Sequence, residues 1–159
     1  MHRTVVCSIF LFGIVFNVVK NLQVNIRGNI ALEKLSIHKI VHYLKNELNF
    51  NISSLPINFI HSDELTEINL NYLKHYYSTD IITFNYTGNH KLLDGELYIS
   101  VEDADYNAKK FGVSKNDEYF RLIIHGILHL LDYDDLKKSD KLVMKKLENK
   151  LLKKFQNNQ

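Results

Sequence analysis

The sequence predicts an α+β fold, a small mixed four-stranded sheet flanked by helices, and three observations carry that prediction. Four short segments read as strands, by apolar–polar alternation or by β-branched and aromatic content. Segments of helical period lie between them without regular βαβ alternation. One of these is apolar over most of its surface, and such a helix belongs inside a protein rather than on it.

Taken in order, Leu22 to Arg27 (LQVNIR) alternates apolar and polar residues, as a half-buried strand does. Ser36 is placed to cap a helix predicted from Ile37 to Leu48, with Ile37, Ile40, Val41, Leu44 and Leu48 on one face. Pro56 to Ile60 (PINFI) reads as a second strand. Ser62-Asp63-Glu64 starts a further helix with Leu65, Ile68 and Tyr72 on its inner side. Asp80 to Tyr86 (DIITFNY) and Gly95 to Val101 (GELYISV) are the third and fourth strands. A helix from Glu102 to Phe111 follows and stops at Gly112. Ser114, with Asp117 three positions on, opens the apolar helix, predicted from Asn116 to Leu131. Asp132-Tyr133-Asp134-Asp135 breaks it. A Lys-rich amphipathic helix then runs to Phe155, with Leu136, Val143, Leu147 and Leu151 as its apolar positions.

A chain of 159 residues suits one domain with one core. A single cysteine, Cys7, excludes an internal disulfide and a Cys-based metal cage, so any metal must be held by His and carboxylates. From Leu136 to Gln159 eight Lys stand against Asp140 and Glu148, a net of +6, while the remaining residues carry −4. A basic end on a mildly acidic body suits a polyanionic partner, nucleic acid first, although charge alone favours the plainer reading of a solvated, Lys-rich surface helix. Val5 to Phe16 is apolar apart from Ser8 and Gly13, short of the roughly 20 residues of a membrane helix, and no small-residue cleavage site follows it. A weak secretory signal, a membrane-touching extension and sequence upstream of the true start are its three readings. No Met lies between Met1 and Met144 to mark a later start. Residues 1–21 are taken as an appended or mis-assigned extension, residues 22–159 as the single domain, with no stable membrane association expected.

The chemistry concentrates in His125-Gly-Ile-Leu-His129-Leu-Leu-Asp-Tyr-Asp-Asp135. His125 and His129 are four apart on a helix, so both imidazoles leave the same face and reach one ion. Burying two imidazoles among Leu122, Ile123, Ile124, Ile127, Leu128, Leu130 and Leu131 is costly unless each ring nitrogen finds a partner. An i, i+4 His pair by itself is also compatible with two hydrogen-bonded core histidines; the carboxylates after the helix break tilt the reading toward a metal. Asp135 can return a third ligand, and three protein ligands leave a fourth position for water, the construction of a catalytic zinc site. The usual metalloprotease helix has Glu directly after the first His. Here that residue is Gly126, which argues against peptide hydrolysis and predicts close approach of substrate or another backbone.

These residues resemble the YbeY endoribonucleases, also called rRNA maturation factors. The family signature H-G-x-L-H-L-x-G-Y-D-H is matched by H-G-I-L-H-L-L-D-Y-D-D from His125 to Asp135. An upstream L-N-x-x-Y-R segment leading to T-D-V-L-S-F has its counterpart in Leu70-Asn71, Tyr72 and Thr79-Asp80-Ile81-Ile82-Thr83-Phe84. The family's G-D/E-x-x-I-S strand is Gly95-Glu96-Leu97-Tyr98-Ile99-Ser100. The resemblance implies one zinc ion per chain held by His125, His129 and Asp135, and cleavage of single-stranded RNA. It also implies maturation of the small-subunit (16S) rRNA 3′ end, ribosome quality control, the small ribosomal subunit as partner, and a cytoplasmic location.

Three departures from the family pattern bear on these expectations. Asp135 stands where His is commonest; a carboxylate weakens the ion as a Lewis acid and admits Mn²⁺ or Fe²⁺. Asp132 replaces the signature Gly and is also a candidate partner of a ligand. Leu73 aligns with the family Arg, leaving any phosphate contact to Lys74 or His75, or weakening activity. Lysines of the last helix are expected to hold the phosphate backbone, and Tyr72, Tyr76 and Tyr77 either stack bases or pack at the rim. Asp80, Glu96 and Asp132 are equal candidates for the general base, with Asp80 equally able to cap a strand end. The alternatives to a nuclease are a non-catalytic ribosome-assembly RNA-binding module with a degenerate metal site, and another metal hydrolase.

Overall fold

The computed structural model of the chain describes residues 10–11, 14–15, 18–27, 30–74 and 79–158. Two short strands, β1 (Phe10–Leu11) and β2 (Ile14–Val15), pair antiparallel. The rest of the apolar leader lies outside the described residues. All four predicted strands form: β3 (Leu22–Ile26), β4 (Asn51–Ile60), β5 (Ile81–Asn85) and β6 (Leu92–Ser100). They make one mixed sheet in the order β3-β4-β6-β5, parallel across the first three and antiparallel at the β5 edge. β4 begins at Asn51 rather than at Pro56. Asn51-Ile-Ser-Ser has weak strand propensity, but it pairs with Leu92 to Asp94 of β6, and that pairing overrides local preference.

The helices are α1 (Lys34–Leu48), α2 (Ser62–Ile68), α3 (Val101–Phe111), α4 (Lys115–Leu130) and α5 (Lys138–Asn157). Ile37, Ile40, Val41 and Leu44 of α1 are buried as their period requires. Ser36 does not cap it. The helix starts at Lys34 after Glu33, and Ser36 sits in the first turn, its N–H donating to the Glu33 carbonyl at 2.9 Å. α2 runs on into a π-helical turn, Asn69–Leu73, closed by Lys74 at φ 57°. That wider turn carries Tyr72 outward, so it is 72% exposed and not on the inner side, its ring edge-on to Phe84 at 5.7 Å. α3 stops at Gly112 with φ 67°, where a residue without Cβ is unstrained. The Ser114 hydroxyl accepts the Asp117 N–H at 3.0 Å and starts α4.

α4 is the buried helix. Leu122, Ile123, Ile124, Ile127, Leu128 and Leu130 are at most 1% exposed, packed between the sheet, α1 and α5. The opposite sheet face carries a smaller cluster of Ile60, Leu65 and Ile82 beneath α2. Gly126 does allow a close approach, but to side chains of the sheet. A Cβ there would meet Leu97 Cδ2 at 2.7 Å and Ile81 Cδ1 at 2.9 Å. The inward face of α5 also differs from the sequence reading. Leu136 lies before the helix and is 88% exposed, Val143 is 58% exposed, and the buried positions are Met144, Glu148, Leu151 and Phe155. A carboxylate occupies the middle of the inward stripe, and an apolar-only pattern is therefore read rotated by about one position.

Gly95 of β6 has no room for a side chain. A Cβ would lie 2.6 Å from the Phe84 carbonyl oxygen on β5 and 2.6 Å from Leu130 Cδ2 on α4. A backbone atom cannot rotate away, so Gly95→Ala is expected to destabilise the fold by about 2 kcal/mol, the scale of overpacking a core. Urea unfolding of parent and variant checks this; equal midpoints would remove the argument.

Candidate metal centre

His125 and His129 leave α4 on one face, and their Nε2 atoms lie 3.0 Å apart. The ring planes are nearly perpendicular, at 84°. Each ring is fixed from behind. His125 Nδ1 is 2.7 Å from Glu148 Oε1, and His129 Nδ1 is 3.0 Å from the Tyr133 carbonyl oxygen. A carbonyl or carboxylate accepts only, so the proton of each neutral ring sits on Nδ1. Both Nε2 lone pairs then point at the same place. Two lone pairs facing each other repel, and a cation between them removes the repulsion.

The third donor comes from the bend. Asp132 adopts φ 69°, in the left-handed region, at the position where the family pattern has Gly. The chain reverses there, and Asp135 Oδ1 comes to 3.9 Å from His129 Nε2. One ligand atom from each of the three residues lies within 4.8 Å of the others. Tetrahedral ligation at zinc distances needs donors about 3.4 Å apart, so small side-chain rotations suffice and the donor set fits a divalent ion. Burial, reinforced by the neighbouring His125, lowers the pKa of His129 and favours the neutral ring, the form that ligates.

Behind the donors stands a charge network. Glu148 is 6% exposed and Glu118 2%. Arg121 donates through Nε and NH2 to Glu118 at 2.9 and 2.6 Å. Its NH1 is 3.8 Å from Glu148 Oε2 and its NH2 is 3.7 Å from Asp80 Oδ2. Hydrogen bonds to Glu118 raise the Arg121 pKa further. Asp80 also accepts from Asn107 Nδ2 at 3.0 Å. Its own pKa is raised by burial, with Arg121 opposing.

His125, His129 and Asp135 open into a cavity of about 1070 Å³, shared with Asp80, Arg121 and Glu148. The sequence candidates divide around it. Asp80 lines it, as do Leu73, Lys141 and Lys145. Glu96 faces the other side of the sheet, accepting from Asn58 Nδ2 and the Tyr86 hydroxyl, both at 2.9 Å. Asp132 turns outward, its side chain 80% exposed and 3.8 Å from His90 Nε2, so it partners no ligand. Tyr72 and Lys74 do not line the cavity, and His75, Tyr76 and Tyr77 lie outside the described residues. Sequence reasoning missed Arg121, Glu118 and Glu148. Arg121 stands four residues before His125 on the same helix face, and Glu148 stands four after Met144 and three before Leu151. Those spacings were the available signals.

Among the described residues no helix is long and apolar enough to cross a membrane. A family model described as Endoribonuclease YbeY matches residues 19–156. The Endoribonuclease YbeY of Bacteroides thetaiotaomicron is 43% identical over 94 residues, covering 59% of this chain and 68% of that protein. That of Chlorobium limicola is 35% identical over 123 residues, covering 77% of this chain and 84% of that protein. The solution structure of a Thermotoga maritima protein superposes with a TM-score of 0.58, over 86% of this chain and 93% of that one. At 23% identity it bears on the fold alone.

Proposed function

This chain belongs to the endoribonuclease YbeY family, and from that premise we propose that it is a metal-dependent endoribonuclease acting on single-stranded RNA. The observation that carries the metal dependence is the pair of Nε2 atoms 3.0 Å apart with the Asp135 carboxylate beside them, at the wall of a cavity that also holds Lys141 and Lys145. The proposed substrate is ribosomal RNA at the 3′ end of the small-subunit (16S) molecule, in ribosome maturation and quality control, within the cytoplasm. We take residues 22–159 as one catalytic unit.

In this reading His125, His129 and Asp135 hold the ion. Zinc is the first choice, and the oxygen donor admits Mn²⁺ or Fe²⁺. A bound ion supplies Lewis acidity toward a phosphoryl oxygen and lowers the pKa of a coordinated water. Glu148 and the Tyr133 carbonyl keep the two rings aimed. Lys141 and Lys145 offset phosphate charge on the cavity wall. Asp80 takes the proton-transfer role ahead of Glu96 and Asp132, because it alone of the three lines the cavity. Burial raises its pKa toward the working range of a general base.

Incubation of the purified chain with unstructured RNA and with a peptide library, with and without chelator, tests the proposal. The expected result is RNA cleavage that stops on chelation and returns with zinc or manganese, the peptides remaining intact. RNA that is bound but uncut under every divalent metal would leave a binding module instead.

A further inference from the structure

The cavity that holds the three donors has an exposed aromatic ring on its rim that the metal site does not use. Phe111, the last residue of α3, lines it together with Val113, yet is 61% exposed. Tyr106, five residues earlier on α3 and outside the cavity lining, is 65% exposed. Between them lies a cation. Lys110 Nζ is 5.5 Å from the centroid of the Phe111 ring and 6.0 Å from that of Tyr106. Scattered exposed apolar residues need no explanation. An exposed ring on the rim of a cavity that carries a candidate metal group and two lysines, with a third ammonium beside it, is a more specific arrangement. Ring faces and ammonium groups in alternation are what single-stranded nucleic acid requires, bases stacking on the rings and phosphates meeting the cations. Base stacking is expected from the sequence at tyrosines near the end of the preceding helix, but Tyr72 among them is engaged with Phe84 away from the cavity.

We propose that Phe111 and Lys110 form a nucleotide-binding subsite at the edge of the cavity. A base next to the scissile position stacks on the Phe111 ring while the adjoining phosphate meets the Lys110 ammonium. The subsite rests on the endoribonuclease reading and specifies where that site holds its substrate. Stacking is indifferent to base identity, so the subsite selects unpaired strands rather than a sequence. A paired base has its face covered by its neighbours and cannot lie on the ring.

The chain contains no tryptophan, so Phe111→Trp introduces a single reporter at the proposed contact. The probe is a 2′-O-methyl oligonucleotide of unstructured sequence, added to the zinc-loaded full chain. Saturating probe is expected to quench the indole emission of that variant, while a duplex of the same sequence leaves it unchanged. In fluorescence anisotropy, Phe111→Ala is expected to weaken binding about tenfold and Phe111→Tyr to restore it. Lys110→Gln is expected to flatten the salt dependence by about one phosphate contact. Zinc stoichiometry and circular dichroism of each variant establish that the metal group and the fold are retained. Probe binding by the parent chain that survives Phe111→Ala unchanged, with no quenching in Phe111→Trp, overturns the subsite alone. Failure of the metal-loaded parent chain to bind any single strand overturns the endoribonuclease reading and the subsite with it.

Discussion

Glu148→Ala is expected to lower the stability of the chain by about 3 kcal/mol and its affinity for zinc by roughly 10- to 100-fold. Glu148 is 6% exposed and supports two groups, accepting from His125 Nδ1 at 2.7 Å and standing 3.8 Å from Arg121. Its removal leaves the Arg121 charge with one fewer counter-ion in a partly buried place. It also leaves the N–H of a partly buried imidazole without its partner. The His125 ring is then free to rotate, and the convergence of the two Nε2 atoms is lost. Glu148→Gln separates these effects. The amide oxygen still accepts the ring N–H, so the stability loss should fall to about 1–2 kcal/mol, while the missing charge still makes the imidazole a poorer donor. Urea unfolding and zinc titration measure the two quantities. Zinc affinity unchanged in both variants would show that Glu148 serves packing alone.

The larger effect belongs to His129→Ala, which is expected to abolish stoichiometric zinc binding and to reduce RNA cleavage by about a thousandfold. That magnitude corresponds to the several kcal/mol that a Lewis acid contributes to charge stabilisation, at about 1.4 kcal/mol per factor of ten. Thermal unfolding gives an independent readout. Zinc at about 100 times its dissociation constant should stabilise the parent chain by roughly 2.7 kcal/mol, and the variant should show no such rise. The substitution also removes a partly buried ring, so the variant is to be compared with parent chain treated with chelator. Equal activity of the two supports loss of metal as the cause. Full cleavage by His129→Ala at the parent's rate would sink the metal assignment.

What was legible beforehand follows from which forces act locally. The strands at Leu22, Asp80 and Gly95 were readable because alternation and β-branched content are local properties, although the last begins three residues earlier, at Leu92, and ends at Ser100. The boundary of β4 was not, since Asn51 to Ser54 is held by pairing to β6 rather than by its own preference. Gly112 and Ser114 were readable because a left-handed stop and a hydroxyl cap are chemistry of one or two residues. The roll of Tyr72 out of the core depends on a π-helical turn, which leaves no periodic trace. His125, His129 and Asp135 announced themselves by spacing, and the structure brings them together. The carboxylate that aims His125 comes from another helix, 23 residues on at Glu148, and a contact of that separation carries no local signature. Glu148 misled further, because a charged residue on an inward face rotates the apparent stripe of α5.

The direction of α4 has one more consequence. His129 lies in its last turn, at the negative end of the helix macrodipole, although the carbonyls of Ile127, Leu128, His129 and Leu130 each accept a hydrogen bond. That field favours a cation by about 1 kcal/mol and disfavours a phosphate by the same amount. An empty centre therefore discourages the approach of a polyanion, and a filled one invites it. A bound ion should strengthen nucleic-acid binding by a few fold beyond its own contacts, because of which end of one buried helix faces the cavity.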